Sequence, residues 1–257
     1  MLKIEPIAAF NDNYIWLLHD ATEVWVVDPG DASVVFETLD RMGQPLTGIL
    51  VTHHHFDHVG GIKDLVSRYR PRVIGPHNPD IEHIDQRVGA QDHVHLFGLD
   101  FAVLTIPGHT LDHIAYYAPD AQPQPLLFCG DTLFAGGCGR IFEGTPEMMF
   151  ASLQQLASLP RNTSIYCAHE YTLANLAFAA AVEPNEHAIV ARIARDQGMR
   201  QRNVPTVPSV LEDELHTNPF LRCDSAGVIS AAQQRAGKPL ASSEAVFTEI
   251  RAWKNAF

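Results

Sequence analysis

The chain has 257 residues, of which 46% are hydrophobic, and 18 Lys and Arg stand against 30 Asp and Glu for a formal net charge of −12. That length holds one large core, or a main domain with a smaller one, and the composition excludes a disordered chain. The acidic balance argues against a nucleic-acid partner, because phosphate binding draws its affinity from cationic surface.

The N-terminal stretch MLKIEPIAAFNDNYIWLL contains Lys3 and Glu5 and no continuous apolar segment of a secretory signal. No run approaches the ~20 apolar residues of a membrane-spanning helix. A cytoplasmic location with no membrane partner is therefore expected. Along the chain, short apolar runs read as buried strands: VWVV at 24–27, GILVT at 48–52, FAVLTI at 101–106, LLFC at 126–129 and SIYCA at 164–168. Between the second and third, Ile62, Leu65, Val66 and Tyr69 keep helical spacing, and Gly60 and Gly61 are expected to turn the chain tightly into that helix. Thr145 and Pro146 signal a helix start ahead of Met149, Leu153 and Leu156. AQPQP at 121–125 reads as a surface loop.

Beyond about residue 172 the strand signal fades, and helical windows are separated by Pro184, Pro205, Pro208 and Pro219. Ser209 and Glu212 match a capping box, and Val246, Ile250, Trp253 and Phe257 draw a stripe along a last helix. The expected organisation is a layered strand-and-helix domain over 1–171, of α/β (α+β) class, followed by a smaller α-helical domain over 172–257. Cys129, Cys138, Cys167 and Cys223 are far apart and form no C-x-x-C pair, so buried thiols are expected, and neither a disulfide scaffold nor a cysteine-bound zinc. Cys138 has no visible base partner to make it a nucleophile.

The apolar runs repeatedly end in side chains able to hold a metal. GILVT precedes His53, FAVLTIPG precedes His109, LLFCG precedes Asp131 and SIYCA precedes His169. Strand ends along one edge of a layered domain can converge, and that is where such architectures bind ligands. Within THHHFDH, the period of two of an extended backbone sends His53 and His55 to one side, and the following turn supplies Asp57 and His58. His54 points the other way and is left out of the ligand set. His113 reads as a hydrogen-bonding partner within the fold. Seven ligands suit two ions better than one. One would take His53, His55 and His109, the other Asp57, His58 and His169, with Asp131 bridging. Mixed imidazole and carboxylate ligation without thiolate fits zinc and also accommodates iron or manganese.

THHHFDH is an instance of the T-H-x-H-x-D-H signature and resembles the metallo-β-lactamase superfamily, with PGHT, CGDT and AHE where that superfamily places its other ligands. GCGRIFEGTPEMM, CAHEYTLANLAFA, VEPN, VPTVPS and TNPFLR narrow the resemblance to the hydroxyacylglutathione hydrolases, the glyoxalase II family, over essentially the whole chain. The resemblance implies an αββα sandwich with a helical C-terminal domain that helps bind glutathione. It also implies a binuclear metal centre and hydrolysis of S-(2-hydroxyacyl)glutathione, such as S-D-lactoylglutathione, the second step of methylglyoxal detoxification. Arg140, Tyr171, Arg251 and Lys254 match family positions that contact glutathione, and Arg251 with Lys254 at i, i+3 would grip one carboxylate. Two residues depart from related sequences: Asp112 stands where Gly is frequent, and Phe142 where some relatives carry Tyr.

In the implied reaction a water shared by two divalent ions ionises near neutral pH, with Asp57 steering it and Asp131 bridging the ions. The leaving thiolate needs no general acid, since a free thiol has a pKa of only ~8.5. The alternatives are a glutathione-persulfide dioxygenase and another hydrolase of the same superfamily. The enzyme is expected to act as a monomer.

Overall fold

A computed structural model describes residues 2–257, which form two compact units. The first comprises the chain up to Thr105 together with Asp112–Gly130, and the second comprises Ile106–Leu111 and Asp131–Phe257.

The first unit begins with strands β1 (Lys3–Ala9), β2 (Asn13–His19) and β3 (Val24–Val27). Helix α1 (Ala32–Met42) starts where the Asp31 carboxylate accepts the Ser33 N–H at 2.8 Å, and ends at Gly43 in the left-handed region. There follow β4 (Gly48–Leu50), helices α2 (Phe56–Val59) and α3 (Ile62–Tyr69), and strands β5 (Arg72–Pro76) and β6 (Gln86–Val88). These six strands make one sheet in chain order, antiparallel from β1 to β3 and parallel from β3 to β6. Pro6 lies in the edge strand, where a missing N–H costs the ladder least. One face of the sheet buries Ile15, Leu17, Val26, Ile49 and Val73 against Val35 and Leu39 of α1 and Leu65 of α3. The unit closes with an antiparallel run of β7 (His93–Leu96), β8 (Leu99–Thr105), β9 (Ile114–Ala118) and β10 (Leu126–Gly130).

The Gly60 and Gly61 pair does not act as the sequence suggests. Both have negative φ, at −58° and −85°, so neither supplies a turn that other residues resist. Their requirement is room: a Cβ on Gly61 would stand 2.5 Å from the Pro29 carbonyl oxygen, and one on Gly60 would stand 2.8 Å from that of Gly30.

In the second unit a short hairpin of β11 (Leu133–Phe134) and β12 (Gly137–Cys138) precedes α4 (Pro146–Ala157). The Thr145 cap and Pro146 start α4 as expected, and Met149, Leu153 and Leu156 are its buried stripe. Strand β13 (Ser164–Cys167) and helices α5 (Thr172–Val182) and α6 (His187–Gln201) lead to β14 (Ser209–Val210) and α7 (Leu211–Thr217). The expected capping box is absent, because Ser209 pairs with Ile165 across β13 and β14, and α7 begins one residue beyond Val210 with no side-chain cap. Helices α8 (Ala226–Ala236) and α9 (Ser243–Asn255) complete the unit. On α9 the buried positions are Val246, Phe247, Ile250 and Arg251, whereas Phe257 lies past the helix end and is exposed.

A buried ionic cluster fixes these helices to the hairpin. Arg192 of α6 donates to Glu214 of α7 at 2.6 Å, and Glu214 in turn accepts from the Gly136 N–H at 2.8 Å and the Asn218 amide at 3.1 Å. Among the described residues no helix is long and apolar enough to cross a membrane.

Candidate metal centre

In the first unit the chain leaves β4 and enters a loop whose donors are held from behind. Asp28, just past β3, accepts the Thr52 N–H at 2.7 Å and the Thr52 hydroxyl at 2.6 Å, and its Oδ2 lies 3.0 Å from His58 Nδ1. His53 Nδ1 faces the Thr52 hydroxyl at 3.1 Å, and its ring stacks on His113 with centroids 4.5 Å apart. These contacts engage the Nδ1 atoms of His53 and His58. Their Nε2 atoms then face forward: His53 Nε2 lies 3.2 Å from His55 Nδ1, and His58 Nε2 lies 3.6 Å from Asp57 Oδ2. Asn13 donates to Asp57 Oδ2 at 3.0 Å. His53 and His58 are fully buried, and His55 and Asp57 are partly so.

Asp28, His53 and His58 themselves form a buried group of metal-binding composition. Both Asp28 oxygens are already accepting, so its role is to orient His58 and Thr52. Sequence reasoning passed over Asp28, although it follows the run VWVV as His53 and Asp131 follow theirs. His54 does turn away, and its Nδ1 meets Asp112 Oδ1 at 2.9 Å. Asp112 also accepts from Asn78 at 2.8 Å, so the unusual carboxylate is tied into the surrounding loops. His113 hydrogen-bonds through Nδ1 to the Ile114 carbonyl at 3.1 Å, the fold-internal role expected of it. At Gly130 φ is +47°, and a Cβ there would stand 2.4 Å from the Thr52 hydroxyl that supports His53.

In the second unit Asp131 sits beside two imidazoles. Its Oδ2 is 3.3 Å from His169 Nε2 and 3.5 Å from His109 Nε2, and all three residues are buried. His109 Nδ1 donates to the Arg140 carbonyl at 2.7 Å, which leaves Nε2 with the lone pair. The Tyr171 ring stacks on His169, centroids 4.6 Å apart and planes within 7°. Phe142 stands edge-on to His109 at 5.3 Å and carries the Arg140 guanidinium 5.4 Å from its ring centre. Arg140 and Tyr171 are exposed.

Arg251 is different: it is only 6% exposed, donating to the carbonyls of Cys138 at 2.9 Å and Gly139 at 3.4 Å and to the Asn255 side chain at 3.0 Å. Lys254 donates to the Ala174 carbonyl at 3.2 Å over the Phe178 ring, and burial, with the Arg251 charge, lowers its pKa. Cys138 is a buried thiol raised above its ordinary pKa by burial, although Arg251 acts against the shift. A protonated buried thiol is a poor nucleophile.

Buried imidazole and carboxylate groups whose outer nitrogens are engaged by carbonyl, hydroxyl or carboxylate oxygens have the donor chemistry of a metal site. Against known proteins, a family model described as the metallo-beta-lactamase superfamily matches residues 9–169, and one described as the hydroxyacylglutathione hydrolase C-terminus matches residues 170–257. The hydroxyacylglutathione hydrolase of Chromohalobacter salexigens is 52% identical over 259 residues, covering 100% of both chains. Among solved structures, ETHE1 from Myxococcus xanthus superposes with a TM-score of 0.64 at 21% identity, over 100% of this chain and 99% of that one. A protein captured in a di-iron-bound form gives a TM-score of 0.55 at 29% identity, over 64% of this chain and 91% of that one.

Proposed function

We infer the chemistry of this chain from kinship: it belongs to the hydroxyacylglutathione hydrolases of the metallo-β-lactamase superfamily and is a thioester hydrolase. Its fold is that superfamily's, two mixed sheets with a helical C-terminal region. Water adds to the carbonyl carbon of an S-(2-hydroxyacyl)glutathione and the carbon–sulfur bond breaks. The products are the hydroxy acid carboxylate, glutathione thiol and one proton. We take S-D-lactoylglutathione as the substrate, in the second step of methylglyoxal detoxification, with the enzyme a cytoplasmic monomer.

Two divalent ions would be held by His53, His55 and His109 on one side and by Asp57, His58 and His169 on the other, with Asp131 shared. The observation that carries this reading is the Asp131 oxygen lying within 3.5 Å of two imidazole Nε2 atoms, one of them fixed by a carbonyl behind its ring. A carboxylate oxygen facing the His109 lone pair is repulsive unless a cation or proton lies between them. Zinc suits this thiolate-free set first, and iron, which the 29% identical relative holds, and manganese are the alternatives. When bound, the ions would supply Lewis acidity that ionises a water near neutral pH and offsets charge developing on the carbonyl oxygen.

The chain's own groups do the rest. Asp57, braced by Asn13, accepts a hydrogen bond from the attacking water and orients it. The departing sulfur leaves as a thiolate and takes its proton from solvent afterwards, since a thiol pKa of ~8.5 makes it a stable leaving group. Arg140, Tyr171, Arg251 and Lys254 serve the glutathionyl portion, the exposed Arg140 offering charge to a carboxylate and Tyr171 a flat face beside His169.

The test follows thioester absorbance with S-D-lactoylglutathione before chelation, after chelation and after metal restoration. Turnover should vanish with the metal and return with it. Metal-loaded protein that consumes oxygen with glutathione persulfide and leaves the thioester untouched would overturn the reading.

A further inference from the structure

We infer that Arg251 is a positioning residue for two of the proposed ligands, His109 and Asp131, acting through the backbone of residues 138–140. The inference rests on the ligand set above and concerns what holds that set in place. A guanidinium almost wholly withdrawn from water must find fixed acceptors, and this one finds main-chain carbonyls. Its Nη1 donates to Cys138 and Gly139, its Nη2 is held by Asn255 one turn along α9, and Phe220 lies with its ring centre 5.0 Å from the guanidinium carbon.

The segment Arg251 grips is bound on its other side to both ligands. Gly139 N–H donates to the Thr132 carbonyl at 3.2 Å, next to Asp131. A Cβ on Gly139 would stand 1.9 Å from the Asp131 carbonyl oxygen and 3.1 Å from His109 Nδ1, so the two strands of chain touch with no room for a side chain. The next carbonyl, that of Arg140, accepts the His109 Nδ1 proton. Fixing the peptides at 138 and 139 therefore fixes where the Arg140 carbonyl points, and with it the ring orientation and tautomer of His109. The Glu214 cluster holds the same hairpin at Gly136 and, through Asn218, at the Gly137 carbonyl, so Arg251 secures the one stretch that cluster leaves, next to the ligands.

A substrate contact alone would raise KM and leave the resting metal site untouched, which separates the two roles. Arg251→Met, Arg251→Lys and, as comparator, Lys254→Met are loaded with metal, and loss of metal to a colorimetric chelator is followed without substrate. Cobalt-substituted proteins are compared by their visible spectra. Both Arg251 variants should release metal faster, by ~10–100-fold as is usual for a partner behind a ligand, with the lysine variant milder and the cobalt bands shifted. Lys254→Met should release metal at the wild-type rate and show only a raised KM. Wild-type release and unchanged cobalt bands in both Arg251 variants would overturn the assignment and leave Arg251 as a substrate contact. If circular dichroism shows Arg251→Met unfolded, Arg251→Lys and Asn255→Ala decide the question on the same readouts. Failure of the thioesterase reading would show as inactivity of the wild-type protein, whatever the release rates.

Discussion

Asp131 Oδ2 lies 3.3 Å from His169 Nε2, so one carboxylate oxygen addresses an imidazole whose sequence position is set by a different strand end. Asp131→Asn keeps the shape and removes the charge. With Asp131 as the proposed shared ligand, removing its charge should cost several kcal/mol of transition-state stabilisation, roughly a 10³-fold fall in kcat. It should also lower the metal content of purified protein, read by elemental analysis. Full metal occupancy with near-normal turnover would remove Asp131 from the centre.

Asp28 touches no reacting atom, yet it holds His58 Nδ1 and both donors of Thr52. Asp28→Asn places an amide where one of these donors needs an acceptor. The expected outcome is metal affinity weakened by about 10–100-fold, measured by chelator competition, with activity recovered at high metal concentration.

Glu214 is fully buried and answers to Arg192, Gly136 and Asn218 together. Glu214→Ala strands a buried guanidinium with only the Asp196 carboxylate 3.3 Å away and the Thr217 hydroxyl for company. Loss of about 3–5 kcal/mol is expected, seen as a lower urea midpoint at unchanged slope.

The buried thiols predict an alkaline weakness. Burial pushes the Cys167 thiol from 9.0 up to about 12, and Cys138 and Cys223 shift in the same direction. Between pH 9 and about 12 the unfolded chain has lost a proton that the folded chain retains at Cys167. Stability should therefore fall with rising pH there, by about 1.4 kcal/mol per unit for one thiol, while below pH 9 the contribution vanishes. Urea melts from pH 8 to 10.5 check the slope, and Cys167→Ala should lessen it by one thiol's share while Cys138 and Cys223 keep the rest. At pH 8 native protein should react slowly with a thiol reagent and unfolded protein rapidly.

The buried His and Asp clusters were legible because their signal is local: a strand-ending apolar run followed at once by an imidazole or carboxylate. The same rule applied to VWVV would have found Asp28. Strands β2, NYIWLLH, and β9, IAYYA, were missed because tyrosine, tryptophan, asparagine and alanine break up the aliphatic runs that mark the other buried strands. Ser209 and Glu212 had the spacing of a cap, but a serine that pairs with a distant strand carries no mark of it in its own neighbourhood. Arg251 was placed beside the apolar stripe of α9 and is instead part of its buried face, since the carbonyls that receive it belong to residues over a hundred positions earlier.

The exit of β4 is pinned from far along the chain. Tyr116 of β9 donates its hydroxyl to the Val51 carbonyl at 2.9 Å, and the Ile114 N–H donates to the Thr52 carbonyl at 2.9 Å. The THHHFDH loop therefore cannot settle until a strand some sixty residues later has docked, and such distant closure is slow. Metal should accordingly enter a chain that has already folded, so refolding rates should be insensitive to added zinc even where the final yield of active enzyme depends on it.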